Sequence, residues 1–241
     1  FKSTEAPALA SLPPTAPLSE AFRSIRVGLR FASVDEALEI VGVTSSIPGE
    51  GKSTVAMNLA VSMARDGKKV LIVDADLRAP TQHRKFTALV AAPGLAEVLS
   101  QSAPLADVVQ RTPVEGLSVL TAGDLPANPG SLVESLRLRQ ALNDARRDYD
   151  IVVVDTPPVL AVGDAVVLTR LVDGMIVVAE SGRVTRRMLT EVRSRFEAAT
   201  LRPVGLVLNK VRTSANPYGE YTKAYAKRGK RARAERREEA S

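Results

Sequence analysis

Apolar residues recur along this chain in short runs rich in Val and Ile, and amphipathic stretches separate the runs. Such runs are typical of buried strands, whereas apolar positions three and four residues apart indicate helices. The predicted strands span residues 40–43, 69–74, 117–121, 151–155, 175–179 and 204–209. Because strands and helices alternate, we predict an α/β fold with a mostly parallel sheet and helices on both faces.

The amphipathic stretches predict helices at residues 53–65, 131–147 and 185–199, with two short helices around Pro104. Ser131 and Glu134 have the spacing of a capping box, so we predict that the 131–147 helix begins there. A further helix is expected to begin near Gly163.

Another helix is predicted ahead of the first strand, over residues 19–32. Its apolar residues share one face and its arginines lie on the flank beside it: Phe22, Ile25 and Leu29, then Arg23, Arg26 and Arg30. By itself this charge pattern favours a helix that caps the domain and leaves its basic edge in water. Residues 1–18 hold four prolines among small residues and are interpreted as a flexible leader, so the domain is predicted to span residues 19–211.

The segment from Ser45 to Thr54, with the sequence SSIPGEGKST, joins the first predicted strand to the next helix. A tight loop between strand and helix is the context that a phosphate-binding P-loop requires. Its glycines let backbone N–H groups converge on an anion, which the helix N-terminus also stabilises. The match to G-x-x-x-x-G-K-[ST] departs at its first position, Ser46. We predict that the loop binds nucleotide through Pro48, Gly49, Glu50, Gly51, Lys52, Ser53 and Thr54.

Acidic residues follow two of the predicted strands. Asp74 and Asp76 end the second strand, and Asp155 ends the run Ile-Val-Val-Val. The carboxyl ends of parallel strands are where α/β sheets place their ligand chemistry. Together with a P-loop, carboxylates there are suited to holding a magnesium ion beside phosphates, as is the Ser53 hydroxyl.

Composition narrows the class of protein further. Cysteine is absent, which excludes disulfides and thiolate metal sites, and no apolar stretch approaches the ~20 residues of a membrane span. The chain begins with Phe1 and not Met, so we expect sequence upstream that could carry an anchor.

Residues 227–237 hold seven Lys and Arg against one Glu, which is typical of a solvated tail or of contact with an acidic membrane surface. No groove-reading motif or aromatic stacking platform accompanies them, so nucleic acid is not an expected partner.

Three of the four tyrosines lie close together after the last predicted strand, at Tyr218, Tyr221 and Tyr225. The residues around them are polar or turn-forming, so residues 212–241 are predicted to be a flexible tail. Tyrosine normally buries much of its surface. Packing against the domain is credible for one of the three tyrosines, but not easily for all of them.

These features together resemble the bacterial tyrosine kinases (BY-kinases) that control capsular and exopolysaccharide assembly. The resemblance covers about residues 19–225 and includes three motifs: the P-loop, Val73-Asp74-Ala75-Asp76-Leu77-Arg78, and Val153-Val154-Asp155-Thr156-Pro157-Pro158. The 19–32 helix resembles the family's E-x-x-R-x-x-R oligomerisation helix through Glu20, Arg23 and Arg26. The resemblance therefore implies a P-loop NTPase-like fold, a ring-like homo-oligomer with these residues at the contact, and a membrane activator, fused or separate, at the inner face of the cell membrane.

The resemblance also implies a mechanism with ATP and Mg²⁺ as cofactors. Lys52 would neutralise the β/γ-phosphates, Ser53, Asp76 and Asp155 would hold Mg²⁺, and Asn209 would lie where the family recognises adenine. Asp74 or Asp76 would accept the tyrosine proton. The tail tyrosines of one subunit would be phosphorylated in a neighbour's site, which would break the ring apart. The family's tail often carries a denser tyrosine cluster than the three tyrosines found here.

Two other functions are compatible with parts of the sequence. A ParA/MinD-type ATPase shares the fold and acidic motifs but carries an extra lysine in K-G-G-x-G-K-[ST], where this chain has Ile47. A nucleotide-binding regulator without catalysis would have no chemical need for the full set of Lys52, Ser53 and three aspartates. The sequence therefore favours the kinase over both.

Overall fold

The computed structural model describes residues 8–32, 37–125, 128–201 and 203–211. The strands of these residues form one sheet: β1 (Ile40–Ser45), β2 (Val70–Asp74), β3 (Gln110–Arg111), β4 (Leu117–Leu120), β5 (Ile151–Asp155), β6 (Gly174–Glu180) and β7 (Pro203–Asn209). Their order is β3-β4-β2-β5-β1-β6-β7. All neighbours are parallel except β3 and β4. The mostly parallel P-loop NTPase-like α/β fold is confirmed.

The helices are α1 (Ala8–Ser11), α2 (Pro17–Ala32), α3 (Lys52–Ala64), α4 (Leu95–Ser100), α5 (Leu105–Val108), α6 (Pro129–Val133), α7 (Leu136–Asp148), α8 (Asp164–Thr169) and α9 (Arg186–Ala198), with a 3₁₀ turn at Gln82–Arg84. In the described part of the chain, none of them has the length and apolarity needed to cross a bilayer.

The sheet has a hydrophobic layer on each face because successive strand residues point to opposite sides. In β2, Val70 and Ile72 pack with α3, whereas Leu71 and Val73 pack with α4 and α7. Helix α3 is buried almost all round. Phe22 and Leu29 of α2 belong to the same cluster, so α2 covers the outer side of α3. This packing explains why the face that the sequence identified on α2 is apolar.

The sheet register places the ends of the central strands together. Asp74 at the end of β2 lies beside Asp155 at the end of β5, and Val43 of β1 lies on the other side of Asp155. The loop that leaves β1 therefore begins next to both carboxylates. This is the edge where open α/β sheets bind ligands.

Part of the predicted leader is folded onto the domain. Leu9 in α1 is 2% exposed, and its N–H donates to Asn58 Oδ1 on α3 at 2.9 Å. Arg65 donates to the carbonyls of Ala10 and Leu12 at 2.8 and 2.9 Å. The prediction of a flexible leader over residues 1–18 is therefore wrong for residues 8–12, because Leu9 is buried against α3. Residues 1–7 lie outside the described residues.

The predicted 131–147 helix is two helices, and the expected capping box is absent from it. Ser131 Oγ donates to the carbonyl of Asn128 at 3.0 Å, so it does not cap a helix that begins there. Pro129 begins α6 at a position where the fixed φ of proline suits a helix. Ser135 is extended, with φ −72° and ψ 146°, and this residue separates α6 from α7. The sequence also gave no signal for the two-residue strand β3.

Candidate active site

The P-loop between β1 and α3 needs its glycines for reasons of conformation and space. Gly49 and Gly51 have φ of +88° and +95°, in the left-handed region that disfavours other residues. A Cβ at Gly51 would also collide with the side-chain amide of Asn209. The backbone therefore approaches closely at this point, and the N-terminus of α3 faces the same space.

Glu50 shapes this loop from within. Its side chain is fully buried and accepts from the N–H groups of Ile47 at 2.9 Å and Glu180 at 3.2 Å. The carboxylate is therefore engaged in the loop itself. Any contact that Glu50 makes with a nucleotide belongs to its backbone.

A cavity of about 390 Å³ opens beside the loop. Its lining includes all but one of the predicted loop residues, namely Pro48, Gly49, Gly51, Lys52, Ser53 and Thr54. Asp76 of the second motif also lines the cavity. Arg78, Lys85, Pro157 and Pro158 complete much of the wall. The sequence motifs for phosphate binding and for carboxylates thus converge on one cavity.

Lys52 bridges the two acidic motifs. Its Nζ lies 2.8 Å from Asp76 Oδ2 and 3.2 Å from Asp155 Oδ1, and it donates to Ser53 Oγ at 3.1 Å. Burial alone would lower the pKa of Lys52, but the negative charges of Asp155 and Asp76 outweigh burial and raise it. The lysine therefore keeps its positive charge at the start of α3.

Asp74 is buried behind this ion pair. Its Oδ2 accepts from the N–H groups of Thr81 and Gln82 at 2.9 and 2.8 Å, whereas its Oδ1 has no hydrogen-bond partner. Burial, and next the charge of Asp155, raise the pKa of Asp74 to about 7, against the lowering effect of those hydrogen bonds. Asp74 can therefore exchange a proton near neutral pH, which a general base must do.

Gln82 is a site residue that sequence reasoning missed. It is 0% exposed, and its Nε2 donates to Asp155 Oδ2 at 2.7 Å and to the carbonyl of Ser53 at 3.1 Å. A glutamine in a polar loop gives no motif of its own. The signal that the sequence offered for Gln82 was its position six residues after Asp76, close to the second acidic motif.

Two lysines at the site were also missed. Lys85 Nζ donates to Thr54 Oγ1 at 3.2 Å, and burial lowers its pKa. Lys210, directly after β7, donates to the carbonyl of Gly49 at 2.8 Å and pairs with Glu180 at 2.9 Å. A basic residue at the carboxyl end of a strand was the signal for Lys210, whereas Lys85 follows an irregular loop.

Asn209, predicted at the adenine position, contacts the P-loop. Its Nδ2 donates to the carbonyl of Glu50 at 2.8 Å, and its own carbonyl accepts from Ser181 at 2.9 Å. The end of β7 is thus anchored to the loop at both Asn209 and Lys210. A role of Asn209 in base recognition stays a prediction.

The predicted metal ligands are not arranged as a preformed metal site in the part of the chain that the structure describes. Within the described residues, no group of three or more His, Cys, Asp or Glu is arranged to hold a metal ion. Asp76 and Asp155 instead share Lys52, which also lies beside Ser53. Magnesium beside nucleotides typically has one or two carboxylates and completes its coordination with phosphates and water.

The predicted oligomer residues lie on α2, far along the chain from the P-loop motif. Arg23 pairs weakly with Glu20 at 3.6 Å, and both side chains are largely exposed. Arg26 is more enclosed, because it pairs with Asp66 at 3.0 Å and donates to the carbonyl of Ser62 at 2.9 Å. The predicted acceptors Tyr218, Tyr221 and Tyr225 lie outside the described residues, as does the whole predicted tail, 212–241.

Proteins of known sequence and structure resemble this chain along most of its length. A family model described as "AAA domain" matches residues 38–197. Tyrosine-protein kinase YwqD of Bacillus subtilis (strain 168) is 40% identical over 204 residues, which cover 84% of this chain and 86% of that protein. Tyrosine-protein kinase ptk of Acinetobacter johnsonii is 35% identical over 199 residues, 83% of this chain but 27% of that longer protein.

The solved kinase domain of the Escherichia coli tyrosine kinase ETK superimposes with a TM-score of 0.82 at 36% identity, covering 90% of this chain and 84% of that domain. These similarities favour the kinase over a ParA/MinD-type switch and over a regulator without catalysis. The chain is thus similar to named tyrosine kinases along most of its length, in sequence and in fold. It belongs to the family of bacterial tyrosine-protein kinases.

Proposed function

We propose that this tyrosine-protein kinase uses MgATP to phosphorylate its own C-terminal tyrosines between subunits, and so regulates capsular or exopolysaccharide synthesis and export. The observation that carries the proposal is that Lys52 and Asp76 line one cavity with the P-loop, and that Lys52 also contacts the buried Asp155. Phosphoryl transfer depends mainly on positioning and on neutralising charge, and this arrangement supplies both.

The residues present fit a magnesium nucleotide. The backbone of Gly49 and Gly51 lines the cavity, and Lys52 and the N-terminus of α3 lie on the same side of it. Ser53, Asp76 and Asp155 would hold Mg²⁺, which would neutralise negative charge on the phosphates when bound. Lys52 would turn from the carboxylates to the phosphates, and Asn209 would lie beside the base.

Asp74 is the proposed proton acceptor for the tyrosine hydroxyl. Its unpaired Oδ1 and its pKa of about 7 suit a base that works near neutral pH. Asp76 lines the cavity and is held by Lys52 at 2.8 Å, which suits it to the metal. The N–H groups of Thr81 and Gln82 hold the other oxygen of Asp74, so these two residues orient its carboxylate.

The proposed acceptors are Tyr218, Tyr221 and Tyr225 of a neighbouring subunit in a ring-like homo-oligomer. The ring contact would include Glu20, Arg23 and Arg26 of α2. Each phosphate adds about −1.5 to −2 charges at neutral pH. Placed beside the basic residues of the tail, these charges would change its contacts and loosen the ring.

The proposed partner is a membrane activator of polysaccharide assembly, which would hold the kinase at the inner face of the cell membrane. The chain spans 27% of ptk from A. johnsonii, so relatives exist in which the kinase region is part of a much longer chain. This supports an activator that is either fused upstream or separate. Nucleic acid is not a proposed partner.

A mixing experiment tests the proposal. One chain keeps Lys52 but carries Phe at residues 218, 221 and 225, and the other carries Lys52→Met with its tyrosines intact and a tag. After incubation with MgATP, mass spectrometry should find phosphate on the tagged chain at Tyr218, Tyr221 or Tyr225. Tyr149→Phe, which changes the remaining tyrosine, is the control and should label normally. Label on serine or threonine only would contradict the tyrosine assignment. No label at residues 218–225 of the tagged chain would contradict transfer between subunits.

A further inference from the structure

Gln82 contacts all three sequence motifs of the site. Its backbone N–H donates to Asp74 Oδ2 at 2.8 Å, and its side-chain Nε2 donates to the carbonyl of Ser53 in the P-loop helix at 3.1 Å. The same Nε2 donates to Asp155 Oδ2 at 2.7 Å. One fully buried residue thus joins the second motif, the P-loop and the third motif.

The chemistry of the partners fixes how the amide is turned. A backbone carbonyl and an ionised carboxylate can only accept hydrogen bonds, so the amide nitrogen must face them. The amide oxygen then points elsewhere and has no hydrogen-bond partner within the described residues. A buried group with one unpaired atom is costly to keep. The two donated bonds therefore have a specific task.

That task concerns the two oxygens of Asp155. Oδ1 lies 3.2 Å from Lys52 Nζ, whereas Oδ2 is held by Gln82. If Lys52 turned to a phosphate, Oδ1 of Asp155 would lose its partner. The hydrogen bond from Gln82 to Oδ2 would still keep the carboxylate in its orientation. Carboxylates that hold metals are commonly oriented by such outer hydrogen bonds, and losing one typically costs 10- to 100-fold in metal affinity.

We propose that Gln82 is a positioning residue for the metal: it holds Asp155 so that Oδ1 stays directed at the magnesium shell, in register with the Ser53 end of α3. The inference rests on the proposed MgATP site and adds to it a residue outside the three motifs. If Gln82 had a purely structural role and only closed the 76–82 loop, its replacement would weaken nucleotide binding equally with and without Mg²⁺.

The test measures how much Mg²⁺ strengthens ADP binding. Calorimetry gives the Kd of ADP with Mg²⁺ and in EDTA, and the ratio of the two is the magnesium effect. In Gln82→Met, which keeps the volume but removes both donated bonds, we expect this ratio to fall by about tenfold while the Kd in EDTA stays within about twofold. The Mg²⁺ concentration for half-maximal tyrosine phosphorylation should rise by a similar factor.

Two further variants keep the result interpretable. Gln140→Met makes the same chemical change at an exposed position on α7 and should leave both Kd values unchanged. Gln82→Asn keeps an amide but shortens its reach by one bond, about 1.5 Å, and should lose the magnesium effect as Gln82→Met does. It replaces Gln82→Met if that variant does not fold, as judged by thermal unfolding.

The outcomes separate this inference from the proposed function. An unchanged ratio in the Gln82 variants, or an equal loss of binding with and without Mg²⁺, would overturn the positioning role. No magnesium effect in the wild-type chain would instead refute the metal site, and the inference would fall with it.

Discussion

Lys52 carries the positive charge on which two buried carboxylates depend. Asp76 and Asp155 are 3% and 0% exposed, and both are within 3.2 Å of the lysine Nζ. Removing one partner from a buried ion pair leaves the other charge uncompensated, which is far more costly than losing an exposed pair. The same lysine is the proposed phosphate ligand. Its replacement should therefore affect both folding and catalysis.

We predict that Lys52→Met lowers tyrosine phosphorylation by about 100-fold or more, because a preorganised charge at the phosphate is lost. It should also lower the free energy of unfolding by about 3 kcal/mol at pH 8, because two buried carboxylates lose their cation. Phosphotyrosine detection and denaturant unfolding check the two effects. Lys68→Met, at an exposed lysine, is the control. A Lys52→Met protein of wild-type stability at pH 8 would contradict the buried ion pair.

Asp74 should show the opposite effect on stability. Burial raises its pKa to about 7 in the folded protein, above the unfolded value near 3.8. The folded state then binds the proton more tightly, so the contribution of Asp74 to stability is full below about pH 4 and is lost as the pH rises through 7. Asp74→Asn should therefore stabilise the nucleotide-free protein by about 2–4 kcal/mol at pH 8, with little difference at pH 4.

The Asp74→Asn protein should nevertheless lose tyrosine phosphorylation if Asp74 is the base. Thermal unfolding at a series of pH values checks the stability effect. Asp144→Asn on α7, an exposed acid, provides the comparison and should show no such pH dependence. A stability gain that is the same at pH 4 and pH 8 would argue against the raised pKa.

Sequence patterns located the site residues that lie at strand ends and in the P-loop. Asp74, Asp76 and Asp155 follow continuous apolar runs, and parallel register then brings Asp74 beside Asp155. Lys210 was missed although its position directly after β7 was a signal. Gln82 and Lys85 were missed because the path of a loop brings them to the site. No periodicity describes such a path, so their contacts could be found only in the folded chain.

Among the elements, the strands were predicted better than the ends of the helices. Buried parallel strands are continuous apolar runs, and the ends of each predicted run lie within two residues of the ends of a strand. The break between α6 and α7 depends on a single extended residue, Ser135, and the docking of α1 depends on a single leucine. Such local features have weak sequence signals. They decide where helices begin and which terminal residues are folded.

Helix α1 should contribute measurably to stability despite its four residues. Leu9 is 2% exposed and lies in the cluster around α3. Leu9→Ala should lower the free energy of unfolding by about 2–3 kcal/mol, at the lower end of the usual range because so short a helix can undock locally. Denaturant unfolding measures the effect. Leu18→Ala, at a leucine that is 39% exposed, is the matched control and should change it little. Equal stability of the two variants would show that α1 does not hold its place.

For the whole molecule, the proposed ring depends on α2. Arg23 has a 64% exposed side chain and only a 3.6 Å contact to Glu20, so its replacement should not affect folding of one subunit. Arg23→Glu should reduce the assembly to smaller species at wild-type thermal stability, because it puts a like charge beside Glu20 at the proposed contact. Native mass measurement checks this prediction.

Arg147→Glu provides a matched control for that measurement. Arg147 also belongs to an exposed pair three residues apart, with Asp144 at 3.2 Å, but it lies on α7. It should leave the assembly unchanged. If both variants or neither changed the mass, α2 would not be the specific contact.

The anchoring of β7 to the P-loop has a consequence for how the acceptors reach the active site. Lys210 contacts Gly49, and Tyr218 is seven residues beyond Val211, a tether of at most about 25 Å. Tethering over so short a distance gives an effective concentration in the millimolar range wherever geometry permits contact. A neighbour's tail must therefore compete with the subunit's own tail. Dilution distinguishes the two tails by the initial labelling rate per molecule. A rate that decreases as the protein is diluted indicates the neighbour's tail, whereas a rate that stays constant indicates the subunit's own tail.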